Sequence, residues 1–308
     1  MKTLLEKIAD RDDGICLYGI APPKRATEPA ALETIARQQI ERVERLRPDG
    51  LIVYDIQDES ERTATPRPFP FLPTLSPELY AEVHLRALRT PKIVYRAVTC
   101  DSRDSLIDWL QATQSGAGPR LSVLVGAPSG RAATGRLKLD EAYALAERYA
   151  PRLVLGGIAI AERHHRTCDE HQRMIAKMEK GCRFLVTQAV YDVTSTKSLL
   201  SDYALALTGR PAVPIIFTFS PCGSPKTLEF MKWLGVSFPR WLENELRHSS
   251  EILAKSVALC TAIFAELLDY AREKRIPLGI NVESVSIRKA EIDASVELYH
   301  RLRALMAR

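Results

Sequence analysis

Arg183-Phe-Leu-Val-Thr187 is a short apolar run, and a segment with the periodicity of an amphipathic helix, 196–207, follows it. The same pair of patterns recurs eight times along the 308-residue chain. Nearly continuous apolar strands that alternate with amphipathic helices are typical of a parallel sheet covered by helices. The eight apolar runs lie at 15–20, 50–54, 92–96, 120–125, 152–158, 183–187, 214–218 and 278–282.

Eight strand–helix units favour a closed (β/α)8 TIM barrel over an open doubly wound sheet. Such a barrel takes roughly 250 residues with room for insertions, so we predict a single domain over residues 1–308. Three further helices, at 225–234, 239–247 and 251–275, are expected between strands seven and eight. Function is expected where the strands end and the βα loops begin.

Composition indicates an ordinary soluble enzyme. The net charge of +5 arises from 43 basic and 38 acidic residues without long like-charge runs, so no nucleic-acid partner is expected. The start of the chain lacks the apolar core of a secretory signal, and no stretch approaches the length of a membrane span. The 6 cysteines lie far apart without a CxxC pair, which favours reduced thiols and a cytoplasmic location.

Polar and small residues follow strands two, three and four. Asp55 comes directly after strand two and is a candidate acid or base, whereas Asp58 and Glu59 are equally well explained as solvated or helix-capping carboxylates. Thr99, after strand three, is a candidate hydrogen-bonding contact for a ligand. Gly126 begins a small-residue loop that lets a flat ligand or phosphate approach the backbone, although ordinary turns use the same residues.

Two long segments are expected beside the strand ends. Residues 57–76 contain four prolines among polar and aromatic residues, and this length predicts a lid or binding loop. Residues 161–171 form the most polar loop of the sequence. They contain metal-ligand residue types whose spacing matches no closed zinc pattern, so a solvated loop or anion contact is favoured: His164, His165, Cys168 and His171.

Gln188 lies just past the apolar part of strand six, at the predicted barrel mouth. Its amide offers one donor group and one acceptor to a planar heterocycle. The alternative is a structural amide that bonds to neighbouring backbone. The strand-end position favours ligand binding, because barrel enzymes bind there.

Several motifs, in order along the chain, resemble the methylenetetrahydrofolate reductase family. The strongest is the segment 177–192, which reads KMEKGCRFLVTQAVYD and is similar to that family's KxxxGAxFxITQxxFD. Further matches are Pro22-Pro23-Lys24, Val98-Thr-Cys100, Gly126 with Pro128, Glu162 with His164, Phe217-Thr-Phe219 and the segment 231–242. The resemblance covers most of the chain.

The resemblance implies a folate enzyme of one-carbon metabolism and methionine biosynthesis. Members hold FAD at the strand ends and pass a hydride from NAD(P)H to methylenetetrahydrofolate, giving methyltetrahydrofolate. Gln188 then contacts the pterin of the tetrahydrofolate derivative. The positions near the flavin or its phosphates are Gly126, Glu162, His164, Glu170 and Lys177.

The reactive positions depart from the family pattern. Small or apolar residues replace four family side chains, at Gly19, Ala97, Val125 and Ala127. Gly19 stands where the family's FEFFPPK has a glutamate that serves as general acid. A positioned general acid contributes about 10²–10⁴-fold to the rate, so a substitute is required. We predict Asp55 in this role, with Glu283 after strand eight as the alternative.

Three functions remain open from the sequence. The first is a divergent reductase that uses NAD(P)H with FAD, or passes the hydride directly to the folate. The second is a non-catalytic folate-binding homologue or partner subunit, and the third is a folate-dependent one-carbon transferase without a flavin. The apolar helices after Pro239 are either a homo-oligomer interface or the outer layer of the barrel.

Overall fold

The computed structural model describes residues 2–59, 63–116, 118, 120–126 and 137–307. Eight parallel strands close into a barrel in sequence order, so the predicted (β/α)8 TIM barrel is confirmed. Pro128, which contributed to the family resemblance, and Ala127, which departs from it, lie outside the described residues. The strands are β1 (Ile15–Ile20), β2 (Gly50–Val53), β3 (Lys92–Ala97), β4 (Leu121–Val125), β5 (Val154–Ala159), β6 (Cys182–Ala189), β7 (Ile215–Phe219) and β8 (Leu278–Val282).

Helices surround the barrel, and the extra helices predicted between β7 and β8 are present as α9, α10 and α11. The described α-helices are α1 (Leu4–Asp10), α2 (Pro29–Leu46), α3 (Pro77–Leu79), α4 (Arg103–Gln114), α5 (Leu139–Tyr149), α6 (Ala161–Thr167), α7 (Glu170–Glu179), α8 (Val193–Ala206), α9 (Pro225–Trp233), α10 (Arg240–Arg247), α11 (Ile252–Glu273) and α12 (Lys289–Met306). A π-helical turn, Tyr80–His84, continues α3.

The polar segment after β5 differs from the prediction. Residues 161–171 were expected to form a loop, but α6 and the start of α7 occupy most of this segment. Cys168 ends α6 in the left-handed conformation, at a φ of 53°. The charged residues of α6 are compatible with a helix whose side chains pack against α7 and α8 on the outside of the barrel.

The strand residues alternate between the barrel interior and the helix layer. The interior is filled by apolar side chains from β1, β2, β3, β4, β6 and β7: Ile15, Leu17, Ile52, Ile93, Leu121, Val123, Phe184, Val186 and Ile216. Space inside is limiting. A Cβ atom on Gly156 would lie 2.5 Å from the Phe184 ring and 2.9 Å from Val123. Glycine at this position therefore makes room for the phenylalanine.

All six cysteines are free thiols, as their spacing predicted. Four of them are buried: Cys16, Cys182, Cys222 and Cys260. Within the described helices, none combines the length and apolar character that crossing a bilayer requires.

We predict that Gly156→Ala lowers the free energy of unfolding by about 1–3 kcal/mol, because the added methyl group overpacks the interior against Phe184. Urea unfolding measures the change. In a Phe184→Leu background the additional cost of Gly156→Ala should be smaller, since the ring no longer fills that space. An equal loss of unfolding free energy in both backgrounds would show that the added methyl group does not clash with the Phe184 ring.

Candidate functional site

Polar side chains gather inside the barrel at the carboxyl ends of β2, β7 and β8. The Asn281 Nδ2 group donates hydrogen bonds to the Tyr54 hydroxyl at 2.8 Å and to Thr218 Oγ1 at 3.2 Å. The same Tyr54 hydroxyl interacts with the carboxyl group of Glu283. We call Tyr54, Asn281 and Glu283 the mouth cluster.

Glu283 is the electrostatically unusual member of the mouth cluster. Burial raises the pKa of its carboxyl group from 4.5 to about 7, and the contact with Tyr54 offsets only part of that increase. Burial also raises the pKa of the Tyr54 hydroxyl well above its usual value, with a further increase from the charge of Glu283. A carboxyl group with a pKa near neutrality can both donate and accept a proton under physiological conditions.

The mouth cluster occupies the space in front of Gly19. A Cβ atom at this position would lie 2.8 Å from Tyr54 Cε2, 3.1 Å from its hydroxyl oxygen and 3.2 Å from Asn281 Oδ1. A larger side chain on β1 therefore requires Tyr54 to move. Within the described chain, the buried Asn281 Oδ1 atom has no hydrogen-bond partner, so one polar acceptor at the mouth is left for another group.

Gln188 lies on β6 beside the mouth. Its Nε2 group donates a hydrogen bond of 2.8 Å to the backbone oxygen of Leu234, which fixes the orientation of the amide. With Glu162 it lines a small internal cavity of about 10 Å³. Burial raises the pKa of the Glu162 carboxyl group, which accepts a hydrogen bond of 3.2 Å from the backbone of Ser237. Gln188 and Glu162 thus line the same cavity, and the ligand contacts predicted for them stay predictions.

A larger cavity of about 410 Å³ opens at the ends of β2 and β3, and we call it the β2–β3 cavity. Asp55 lines it, together with Gln57 and Tyr95. The Asp55 carboxylate accepts hydrogen bonds from the Ala97 backbone at 2.8 Å and from Gln57 Nε2 at 2.6 Å. Asp55, the predicted acid, therefore lines a cavity, but uncharged N–H groups donate hydrogen bonds to both of its carboxylate oxygens.

The outer wall of the β2–β3 cavity carries an arginine that is held by two carboxyl groups. Arg96 donates two hydrogen bonds of 2.8 Å to Asp101, and its guanidinium lies 4.6 Å from the centroid of the Trp109 ring. Glu78 lies 3.6 Å from Arg96, and burial raises the pKa of the Glu78 carboxyl group. An ordered arginine, carboxylates and an indole ring give this cavity the polar and aromatic walls typical of small-molecule sites.

The segment 63–76, part of the predicted lid, contacts the chain after β1 and helix α9, which follows β7. The backbone of Leu75 donates a hydrogen bond of 2.9 Å to Pro23, after β1. At its other end, Trp233 of α9 donates a hydrogen bond of 2.9 Å to the Thr65 backbone oxygen. The Arg67 guanidinium lies 5.1 Å from the centroid of the Trp233 ring, among aromatic side chains. These contacts place the segment beside the candidate site.

Three residues at predicted flavin positions lie in the helix layer. Glu170 is fully buried and accepts hydrogen bonds from the Ile160 backbone at 3.1 Å and from Arg163 at 2.9 Å. The Lys177 ammonium group donates to the Ile158 backbone oxygen, and burial lowers the pKa of Lys177. His164 Nε2 lies 3.1 Å from Asp202 of α8. These groups are engaged by other protein groups, and the flavin contacts predicted for them stay predictions.

Two further predicted residues lie close to strand ends. Thr99 is half-buried in a 3-10 turn after β3. Gly126 follows β4, and a Cβ atom there would lie 3.3 Å from Leu139. The roles of Thr99 and Gly126 in ligand binding stay predictions.

Sequence reasoning missed Tyr54 and Asn281. A signal was present for Asn281, because it is a polar residue within the apolar run of β8, and Glu283 follows two positions later on the same face. Tyr54 shares a face with Ile52 by the same alternation. Nothing in the sequence indicated that the Tyr54 and Asn281 side chains are in contact in the folded barrel.

Comparison with known proteins links this chain to a folate-binding protein. No protein-family model matches the chain, and no curated protein does. The solved structure of an uncharacterized protein from Clostridium thermocellum, which binds two copies of 5-methyl-5,6,7,8-tetrahydrofolic acid, is 45% identical. The match covers 98% of this chain and 99% of that chain, with a TM-score of 0.86.

The chain belongs to the same family as this Clostridium thermocellum protein. More distant structures share the fold alone. A GH113 β-1,4-mannanase is 12% identical with a TM-score of 0.54, over 94% of this chain and 98% of that chain. A GH10 endoxylanase from a sugarcane soil metagenome is 9% identical with a TM-score of 0.51, over 96% of this chain and 98% of that chain.

We predict that Glu283→Gln stabilises the protein at alkaline pH. The carboxyl group has a pKa near 4.5 in the unfolded chain and about 7 in the folded one, so stability falls as the pH rises through that interval. The neutral amide removes the cost of the buried charge, and the gain above pH 7 should be about 2–3 kcal/mol. Urea unfolding at acidic and alkaline pH measures it.

The matched control is Glu44→Gln, because Glu44 lies exposed on α2. This variant should unfold like the original protein at both pH values. If the free energy of unfolding gained by Glu283→Gln does not increase with pH, burial does not disfavour the charged form of the Glu283 carboxyl group.

Proposed function

We propose that this protein binds a reduced folate at the barrel mouth and reduces methylenetetrahydrofolate to methyltetrahydrofolate with NAD(P)H. The observation that carries the proposal is the 45% identical clostridial relative, which binds 5-methyl-5,6,7,8-tetrahydrofolic acid. The methyl compound is the product of the proposed reaction. The sequence resemblance to methylenetetrahydrofolate reductases supports the same reaction class.

The pterin ring is proposed to lie at the mouth, within reach of Gln188. The amide of this residue is held by its bond to Leu234, so it is preorganised to pair with the polar edge of a flat heterocycle. The β2–β3 cavity supplies the volume for further parts of the ligand, since about 410 Å³ falls within the range of small-molecule pockets.

The proposed reaction needs one hydride and one proton. The methylene carbon bridges two nitrogens; one carbon–nitrogen bond breaks, the departing nitrogen takes a proton, and the carbon accepts the hydride from NAD(P)H, which becomes NAD(P)⁺. Glu283 is the proposed proton donor, because its pKa of about 7 keeps the carboxyl group substantially protonated at neutral pH. Asn281 and Tyr54 position this carboxyl group.

The proposed hydride passes directly from the nicotinamide to the folate. Glu170, Lys177 and His164, three of the positions where the family contacts FAD, are engaged in the helix layer. This misfit supports a reaction without FAD. The purified protein should accordingly show no flavin absorbance.

We predict that Gln188→Ala weakens the binding of 5-methyltetrahydrofolate about 10- to 100-fold, the cost of one or two hydrogen bonds to the pterin. Isothermal titration calorimetry measures the dissociation constant. Gln111→Ala is the control, because Gln111 lies exposed on α4 and should leave binding unchanged. Equal binding by all three proteins would remove Gln188 from the folate site.

We predict that Glu283→Gln lowers the rate of methylenetetrahydrofolate reduction by about 10²–10⁴-fold while leaving folate binding within a few-fold. In the original protein the rate should fall as the pH rises above about 7, because only the protonated carboxyl group donates. Consumption of NAD(P)H measures both effects.

Asp55→Asn separates the two candidate acids. If Glu283 is the donor, this variant retains the pH profile of the original protein. If Asp55→Asn abolishes turnover and Glu283→Gln does not, the acid is Asp55. Tight folate binding with no turnover in the original protein would contradict the reductase proposal and identify a folate-binding protein without catalysis.

A further inference from the structure

A second cluster of ligand-type side chains lies outside the barrel, between α6, α7 and α8. It consists of His164, His171 and Asp202, whose candidate ligand atoms all lie within 4.8 Å of one another. His164 is on α6, His171 on α7 and Asp202 on α8. We call it the helix-layer cluster. The proposed folate reaction does not use it.

The geometry of the helix-layer cluster suits one transition-metal ion. The two imidazole rings are nearly perpendicular, at 85°, with centroids 5.4 Å apart. Two imidazoles that bind one zinc ion through bonds of about 2.0–2.1 Å in tetrahedral geometry hold their centroids roughly 5 Å apart. His164 Nε2 and Asp202 Oδ2 are separated by 3.1 Å, close to the spacing of roughly 3.3 Å between two ligand atoms of one zinc ion.

The hydrogen bonding of the two histidines is incomplete. Within the described chain, the buried Nδ1 atoms of both His164 and His171 have no hydrogen-bond partner. The His164 side chain is only 3% exposed, so an unpaired ring nitrogen there is costly. An ion bound through one nitrogen of each ring would therefore join two imidazoles whose hydrogen bonding the protein leaves incomplete.

The cluster is also accessible. The side chain of Asp202 is 45% exposed, so an ion can reach the histidines from solvent without opening the barrel. Two imidazole nitrogens and one carboxylate oxygen leave a fourth position for water, as in zinc sites with three protein ligands. This donor set favours Zn²⁺ and similar ions over Mg²⁺ or Ca²⁺, which prefer oxygen ligands.

We propose that His164, His171 and Asp202 bind one Zn²⁺-class ion that joins α6, α7 and α8. Each helix contributes one ligand, so the ion links three elements that otherwise meet through side-chain packing. The stabilisation acts on the helix that carries Glu162 at its start, although the ion itself lies away from the mouth cluster.

Metal-free protein titrated with ZnCl₂ in a calorimeter tests the proposal, with Co²⁺ absorption spectra as the second readout. We expect one equivalent to bind, a tetrahedral Co²⁺ spectrum, and a melting temperature that rises with added Zn²⁺. His171→Ala and Asp202→Asn should each weaken binding at least tenfold. His165→Ala is the matched control, because this neighbouring histidine of α6 is exposed, and it should bind the ion as the original protein does.

Circular dichroism of each metal-free variant tests whether it is folded. Asp202→Asn preserves the side-chain shape, so it still tests the metal site if His171→Ala fails to fold. No saturable Zn²⁺ binding by the original protein, or equal binding by His171→Ala, Asp202→Asn and His165→Ala, would overturn the proposal. Binding of 5-methyltetrahydrofolate is measured on the same samples. Folate binding should be unchanged in His171→Ala. Loss of metal binding and loss of folate binding are therefore measured separately.

Discussion

Limited space inside the barrel governs both its packing and its chemistry. Gly156 leaves room for the Phe184 ring, and Gly19 leaves room for Tyr54 in the same way. Because Tyr54 fits against Gly19, its hydroxyl can contact both Asn281 and Glu283. The position of Tyr54 against Gly19 therefore also sets the contact that its hydroxyl makes with Glu283.

The carboxyl groups of this protein differ in what surrounds them. Glu170 is fully buried but faces the guanidinium of Arg163, and Asp101 pairs with Arg96. Glu283 has a tyrosine hydroxyl as its partner, and burial raises its pKa to about 7. A buried carboxyl group that lacks a cationic partner exchanges protons near neutral pH, whereas an arginine partner favours the charged form. The Glu283 carboxyl group at the mouth thus has a pKa near neutrality, whereas Glu170 and Asp101 form ion pairs with arginines.

The residues shared with the reductase pattern fall into two groups in space. Gln188 and Glu162 lie together around the small cavity beside the mouth. Glu170 and Lys177 instead connect α7 to the ends of β5, through Ile160 and Ile158. Residues of the second group connect a helix to a strand end, so the fold of the βα unit by itself explains their place in the motif.

The sequence by itself determined the eight strands, the helices between β7 and β8, and the position of Gln188 at a strand end, because apolar periodicity is a local property of the chain. Only the tertiary structure decided that Tyr54 contacts Asn281 and Glu283 beside Gly19, that Asp55 is held by neutral donors, and that Asp202 meets two histidines. The physical reason is that these contacts join residues far apart in sequence. Barrel closure and helix packing set their distances, and the burial that shifts the pKa of Glu283 exists only once the barrel has closed.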